Sequence, residues 1–155
     1  MDNVDIAILH ELQLDARIPN SKLAEKVHLS PSAVLERVRR LRKSGIIKQF
    51  STLLDTQALG YNLTVMMELR IERNLCGSSI SKELVKFPEI LEIHDVAGDC
   101  DYLLKVVARD SDSLRNTMRA IGAIPGVLSS QTKLILGTIK SELSPQIKQE
   151  KTNEK

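Results

Sequence analysis

The fold of the first third of the chain is decided by one stretch, Leu29-Ser30-Pro31-Ser32-Ala33-Val34-Leu35-Glu36-Arg37-Val38-Arg39-Arg40-Leu41-Arg42-Lys43-Ser44-Gly45. Serine followed by proline predicts a helix start, because serine caps the first turn and proline lacks an N–H that would be unpaired there. Gly45 is suited to end the same helix. Between Glu36 and Lys43 lie five basic residues and one acidic residue, a local charge of +4.

Two shorter helices are expected before this basic helix. Apolar residues at helical spacing predict a helix near residues 2–14, and a second runs from Ser21 to about Val27. Two helices joined by about three residues, the second strongly basic, form a helix-turn-helix, whose second helix enters the major groove of DNA. The following residues, 46–54, predict a strand or short hairpin, which would make this a winged helix-turn-helix.

The basic helix should bury Val34, Val38 and Leu41 and turn a polar face to solvent. Small residues in its first turn allow close approach to base edges, and long cationic side chains reach phosphates or guanine. Glu36 can accept a hydrogen bond from a cytosine amino group. A merely solvated helix face is the alternative. The predicted DNA-binding residues are Ser30, Ser32, Ala33, Glu36, Arg37, Arg39, Arg40, Arg42, Lys43 and, in the wing, Lys48.

The charge distribution favours a nucleic-acid partner for this region only. Residues 1–58 hold nine basic and seven acidic side chains, whereas residues 59–155 hold thirteen of each, so the whole net charge of +2 lies in the first part. No run of about 18 apolar residues exists, which excludes a membrane-spanning helix. An acidic start, no signal-peptide pattern, and two cysteines without metal-ligand spacing predict a cytoplasmic protein with no metal and no cofactor.

The rest of the chain reads as strand-helix-strand, a turn, and strand-helix-strand. The two junctions Phe87–Leu91 and Ile124–Leu128 resemble each other, which supports two similar halves and a ferredoxin-like βαββαβ fold. The fold class is therefore α+β, with a winged helix-turn-helix domain at 1–58 and a ferredoxin-like domain at 59–141. Residues 142–155 are polar and aperiodic and are expected to form a disordered tail.

The chain resembles the Lrp/AsnC, or feast/famine, family of transcriptional regulators over roughly residues 2–140. The resemblance is carried by Asp5–Leu9, Leu29–Ser32, Arg37–Leu41, Gly45–Ile47, Gly98–Tyr102 and Ile124–Val127. It implies a transcriptional regulator of double-stranded DNA that is not an enzyme. It also implies a second domain that binds an amino-acid effector and assembles dimers into larger particles, often octamers.

The resemblance places the effector near the loop Gly98-Asp99-Cys100-Asp101-Tyr102, with a weaker candidate at Thr132. Aspartate carboxylates could pair with the ammonium group of an amino acid, and loop N–H groups with its carboxylate. The alternative is an ordinary turn in which the aspartates bind local N–H groups.

A second hypothesis for the whole protein is a metabolite-binding or enzymatic ferredoxin-like protein with a helical oligomerisation element. It would require an apolar outer face on the third helix, where the sequence instead has charge.

Overall fold

The computed structural model describes residues 1–72 and 78–147 of the 155-residue chain. These residues divide into two compact units. One comprises Met1–Thr52 together with the segment that begins at Ser141, and the other comprises Leu53–Lys140. The sequence had predicted one boundary between residues 58 and 59, and it did not predict that a second, distant segment would join the first unit.

The first unit contains the helix-turn-helix. Its helices are α1 (Asn3–Leu14), α2 (Asn20–Lys26) and α3 (Pro31–Lys43). Their apolar faces meet in one buried core of Ile8, Leu9, Leu23, Ala24, Val34 and Leu41. The turn between α2 and α3 passes through His28 at a positive φ of 54°, which reverses the chain within a few residues. The three predicted helices are confirmed.

The predicted wing is wrong for this structure. Residues 46–54, which are all described, form a turn and then irregular chain without a strand. Ile47 packs against the core of the first unit, but Leu53 and Leu54 at the other end of the segment are 71% and 67% exposed. An isolated hairpin without a packed face is marginal in water, and the apolar composition alone could not supply that face.

Part of the predicted tail packs on α1. The Gln13 amide group donates to the Ser144 hydroxyl at 2.9 Å and to the Pro145 carbonyl at 2.8 Å. Its oxygen accepts from the Ile147 N–H at 3.0 Å, and the Ile147 side chain contacts the apolar core of the first unit. Residues 144–147 are therefore docked, while residues 148–155, also predicted to be disordered, lie outside the described part of the chain.

The second unit is a four-stranded antiparallel sheet with two helices. In chain order its elements are β1 (Leu63–Ile71), α4 (Ser78–Leu84), β2 (Ile90–Asp95), β3 (Tyr102–Ala108), α5 (Ser111–Gly122) and β4 (Val127–Leu134). The strands lie in the order β2-β3-β1-β4, so β1 and β3 are central. The predicted βαββαβ succession and the α+β class are confirmed.

One face of the sheet is buried against the helices. Val65, Met67 and Leu69 alternate along β1 and are at most 1% exposed, and their partners on β3 are also buried. Ile80 of α4 and Ile121 of α5 belong to the same core. Most residues at the intervening positions of β1 and β2 are polar or partly exposed, whereas Val107 of β3, which is on the same face as Thr64, is buried.

Candidate nucleic-acid interface and effector loop

Local sequence chemistry determines where α3 begins and ends. The Ser30 hydroxyl accepts a hydrogen bond from the Ala33 N–H at 3.2 Å, and Pro31 occupies the first turn. The chain leaves the helix through Gly45, whose φ of 78° is a left-handed conformation that favours glycine. Ser30, one of the predicted DNA-binding residues, thus has a capping role in the free protein.

The orientation of α3 agrees with its amphipathic pattern. Val34 and Leu41 are buried and Val38 is half-buried, as expected from their spacing. The predicted DNA-binding residues that are exposed are Ser30, Ser32, Glu36, Arg39, Arg40, Arg42, Lys43 and Lys48, while Ala33 and Arg37 are half-buried. An open depression of about 390 Å³ lies on this surface, lined by Ser32, Ala33, Glu36, Arg37 and Arg40.

Two arginines of α3 bind acidic residues at the start of α1. Arg37 Nη1 donates to Asp5 Oδ1 at 2.8 Å and to Asp2 Oδ2 at 2.7 Å. Arg40 Nη2 lies 3.0 Å from each oxygen of Asp5. The Asp5 side chain is only 3% exposed, whereas those of Arg37 and Arg40 are 25% and 60% exposed. The buried carboxylate of Asp5 therefore forms ion pairs with two more exposed guanidinium groups of α3.

The electrostatics of Asp5 follow from these contacts. Burial alone would raise the pKa of Asp5, but hydrogen bonds from Arg37 and the Asp2 N–H, together with the charge of Arg40, lower it below its ordinary value. The pKa of Asp2 is also lowered, chiefly by its hydrogen bond from Arg37. Both carboxyl groups are therefore ionised near neutral pH.

The other cations of α3 are placed differently. Among the described residues, no hydrogen bond or ion pair engages the side chain of Arg39 or Lys43. The Arg42 guanidinium lies 5.8 Å from the centre of the Phe50 ring, a cation–π distance. Lys48 is exposed in the irregular segment that follows the helix. Arg39 and Lys43 are thus the residues of α3 whose positive charge is most available to a polyanion.

The loop between β2 and β3 is fastened to the end of β1. The Ile71 N–H donates to Asp101 Oδ2 at 2.8 Å, and the Asp101 N–H donates to the Leu69 carbonyl at 2.9 Å. Arg70 Nε donates to the Asp99 carbonyl at 2.7 Å. Gly98 has a φ of 148°, and its position at the turn is exposed. The carboxylate of Asp101 therefore binds an N–H of β1, thirty residues away in sequence, rather than a local N–H of the turn.

The other predicted effector residues are only partly brought together. Cys100 is a half-buried free thiol beside Asp101, and Tyr102 is 6% exposed in the core. Tyr102 pairs with Leu69 on one side of β1, and Thr132 pairs with Met67 on the other. Directly paired residues point to the same side, so Thr132 lies on the helix-covered face with Tyr102, two strand spacings across the sheet and two residues along it, roughly 12 Å away. Its buried hydroxyl has no hydrogen-bond partner among the described residues.

Sequence reasoning missed Asp2, Asp5 and Gln13 as structural partners. A signal for the aspartates was present, because a helix with a local charge of +4 beside a neighbouring acidic helix start invites ion pairing. The structure adds that Asp2 and Asp5 form a reciprocal capping box at the start of α1. No local pattern marks Gln13, whose partners lie more than 130 residues away.

In the described part of the chain, no group of three or more His, Cys, Asp or Glu residues could hold a metal ion. No helix there is long and apolar enough to cross a membrane.

Known families match each of the two units. Residues 1–42 match the AsnC-type helix-turn-helix domain, and residues 64–145 match the Lrp/AsnC ligand binding domain. The chain is 34% identical over 148 residues to the HTH-type transcriptional regulator FL11 of Pyrococcus horikoshii, covering 96% of this chain and 97% of that one. It is 36% identical over 143 residues to the leucine-responsive regulatory protein of Escherichia coli, covering 90% and 87%.

Solved structures resemble this one over nearly its whole length. The L-methionine complex of the transcriptional regulator NMB0573 from Neisseria meningitidis has a TM-score of 0.83 and 29% identity, covering 94% of this chain and 96% of that one. The feast or famine regulatory protein of M. tuberculosis complexed with L-methionine has a TM-score of 0.86 and 27% identity, covering 93% and 97%.

Proposed function

Because the chain belongs to the Lrp/AsnC family of effector-responsive, DNA-binding transcriptional regulators, we propose that α3 reads duplex DNA and that the Gly98–Tyr102 loop helps to bind a free amino acid. The protein acts through binding and assembly rather than by catalysing a reaction, as a regulator does. Its place is the cytoplasm, where the DNA of bacteria and archaea lies.

The observation that carries DNA reading is the exposed outer face of α3, where Arg39 and Lys43 lack intramolecular partners among the described residues. These two cations contact phosphates or guanine edges, while Ser32 and Ala33 let the first turn approach the bases. Glu36 selects a cytosine amino group. Arg42 and Lys48 contribute at the edge of the same surface. Ser30 caps the helix, and Arg37 and Arg40 contact DNA only with donors that Asp5 leaves free.

The test is the salt dependence of DNA binding for Arg39→Gln and Lys43→Gln. Each lost phosphate contact should make the slope of log affinity against log salt shallower by about 0.9. Arg115→Gln is the matched control, because Arg115 is an exposed arginine of α5 in the other unit, 62% accessible. If both α3 variants keep the wild-type affinity and slope on a selected duplex, α3 does not bind DNA.

Support for an amino-acid effector comes from two similar proteins whose structures contain L-methionine. In this chain, Asp99 and Asp101 supply carboxylates for the ligand's ammonium group, since Asp99 is exposed and Asp101 binds the Ile71 N–H through one oxygen. N–H groups around Gly98 and Cys100 meet its carboxylate. Tyr102 and Thr132, whose hydroxyl has no hydrogen-bond partner in the described part of the chain, complete the predicted set from β3 and β4.

The effector is tested by thermal unfolding with each of the twenty amino acids, beginning with L-methionine. A ligand at 100 times its Kd stabilises the folded state by about 2.7 kcal/mol, which raises the melting temperature by several degrees. The D-enantiomer of any active amino acid is the control. If no amino acid raises the melting temperature, the effector assignment fails while the DNA assignment stands.

Assembly into a homo-oligomer, a dimer that associates further to an octamer, is part of the same proposal. One support is the partly exposed polar residues on the sheet face opposite Val65, Met67 and Leu69, which form the ion pairs Glu68–Lys133 and Glu92–Lys105. Hydrogen bonds from Lys105 and His94 hold the pKa of Glu92 below its ordinary value. Leu136 and Ile139, in the segment after β4, are almost fully exposed in one chain.

Sedimentation velocity across a range of protein concentrations tests this assembly. A dimer and an octamer are expected at increasing concentration, and Leu136→Asp with Ile139→Asp should shift the population toward smaller species. Arg115→Gln serves again as the control. A monomer at all concentrations would refute the proposed assembly.

A further inference from the structure

The buried carboxylate of Asp5 accepts hydrogen bonds from two arginines of α3, the proposed DNA-reading helix. It lies on α1 with its side chain 3% exposed, and it contacts guanidinium groups from two positions one turn apart on α3. Both Asp5 oxygens lie 3.0 Å from Arg40 Nη2, and Oδ1 also accepts from Arg37 Nη1 at 2.8 Å. Contacts to residues at i and i+3 restrain the rotation of α3 about its own axis, because both side chains must reach the same point.

A buried carboxylate is costly unless it is paired, so this contact is more than an incidental surface ion pair. Asp2 offers a contrast within the same network. Its side chain is 52% exposed, and it binds Arg37 alone. The two aspartates therefore permit a comparison between a buried and an exposed partner of the same guanidinium.

The pairing changes the effective charge that α3 presents. Five cations lie between residues 36 and 43, but Asp5 takes up donors from Arg37 and Arg40. Arg40 is 60% exposed, so without its partner it could extend into solvent. An unpaired arginine side chain at this position would contact the phosphates of any duplex, regardless of its base sequence.

We propose that Asp5 is a positioning residue for DNA reading, which holds Arg37 and Arg40 on α1 so that base contacts, rather than added phosphate contacts, govern binding. The proposal rests on the proposed DNA-reading function of α3. Asp5 acts through the two arginines and does not touch DNA itself. Its loss therefore increases sequence-independent binding and lowers the ratio of specific to non-specific affinity.

The central variant is Asp5→Asn, which keeps the side-chain size and one acceptor oxygen but removes the charge. Binding is measured from 50 to 300 mM salt on a duplex selected from a random pool and on a scrambled duplex of the same composition. The released Arg40 should add about one phosphate contact, which steepens the salt slope on the scrambled duplex by about 0.9. Affinity for that duplex at low salt should rise severalfold.

A double variant separates this effect from simple destabilisation. Asp5→Asn with Arg40→Gln should return the salt slope on the scrambled duplex to the wild-type value, since the released cation is gone. Asp2→Asn is the exposed control, and its slope should change by less than half as much as that of Asp5→Asn. A purely structural role for Asp5 would lower affinity for both duplexes with an unchanged slope, and the double variant would not reverse it.

Single arginine variants keep the proposal testable if Asp5→Asn fails to fold. In the otherwise wild-type protein, Arg40→Gln should make the slope shallower by less than half the change produced by Arg39→Gln. Equal changes for the two variants would overturn the positioning role of Asp5. No change for Arg39→Gln together with Lys43→Gln would instead overturn the DNA-reading function itself, so the two failures can be told apart.

Discussion

Two substitutions of Asp101 can distinguish its contribution to folding stability from its contribution to effector binding. Its Oδ2 accepts the Ile71 N–H at 2.8 Å where β1 ends, and its own N–H donates to the Leu69 carbonyl. Among the described residues its second oxygen, Oδ1, has no hydrogen-bond donor. One substitution can therefore remove the acceptor altogether, and another can retain an acceptor while removing the charge.

The expected magnitudes follow from these contacts. Asp101→Ala leaves the Ile71 N–H of a residue that is 3% exposed without its acceptor, which should lower the free energy of unfolding by about 1–3 kcal/mol. Asp101→Asn can still accept that bond, so its cost should be about 1 kcal/mol or less. A carboxylate–ammonium contact to the effector is worth about 1.5–3 kcal/mol, so both variants should bind the amino acid about 10- to 100-fold more weakly.

Urea unfolding and isothermal titration with the active amino acid measure the two quantities independently. Asp112→Asn is the matched control, because Asp112 is an 82%-exposed aspartate on α5, outside the Gly98–Tyr102 loop. If Asp101→Asn bound the effector with wild-type affinity, the carboxylate would serve only the turn. If Asp101→Ala were as stable as Asp101→Asn, the hydrogen bond to Ile71 would not hold the loop.

Three further perturbations have expected outcomes. Gln13→Ala removes three exposed hydrogen bonds, so the free energy of unfolding should fall by about 1–1.5 kcal/mol. Limited proteolysis should also cut residues 141–147 faster than in the wild type. An unchanged cleavage rate would contradict the docking of this segment. Leu104→Ala should lower the free energy of unfolding by about 2–5 kcal/mol, because Leu104 is fully buried. Val85, which is 72% exposed, is the control: Val85→Ala should change the free energy of unfolding by about 0.5 kcal/mol or less in the same denaturation assay. Because the pKa of Asp5 is lower in the folded state than its ordinary value of 3.8, the ionised carboxylate stabilises the folded state above that value, and this stabilisation is lost as the pH falls through the folded-state pKa. The stability of Asp5→Asn should therefore fall less than that of the wild type below about pH 4 in an acid titration. An equally steep fall would refute the ion pair.

The sequence was sufficient for features that depend on local chemistry and periodicity. Ser30 and Pro31 marked the start of α3 correctly, and Val34 and Leu41 were placed on its buried face. The strand order along the chain followed from alternation in segments such as Leu63–Ile71. These features are determined by neighbouring residues, so a pattern within about ten positions contains the information needed.

Features that depend on distant partners were missed. Arg37 and Arg40 were expected to face DNA with the other cations, because nothing in the helix itself indicates that Asp5 lies beside them. The wing was predicted from composition, but Leu53 and Leu54 are mostly exposed and form no strand. The identities of the residues that contact DNA and effector stay predictions, since they depend on partners that a single chain does not contain.

The contact between Gln13 and residues 144–147 has a consequence for synthesis on the ribosome. Helix α1 precedes the second unit in the chain, whereas the residues that bind Gln13 and add Ile147 to the core of the first unit follow it. The first unit can therefore make this contact only after the whole second unit has been translated. A nascent chain that has not been translated beyond residue 147 therefore carries a helix-turn-helix without the contact between Gln13 and residues 144–147.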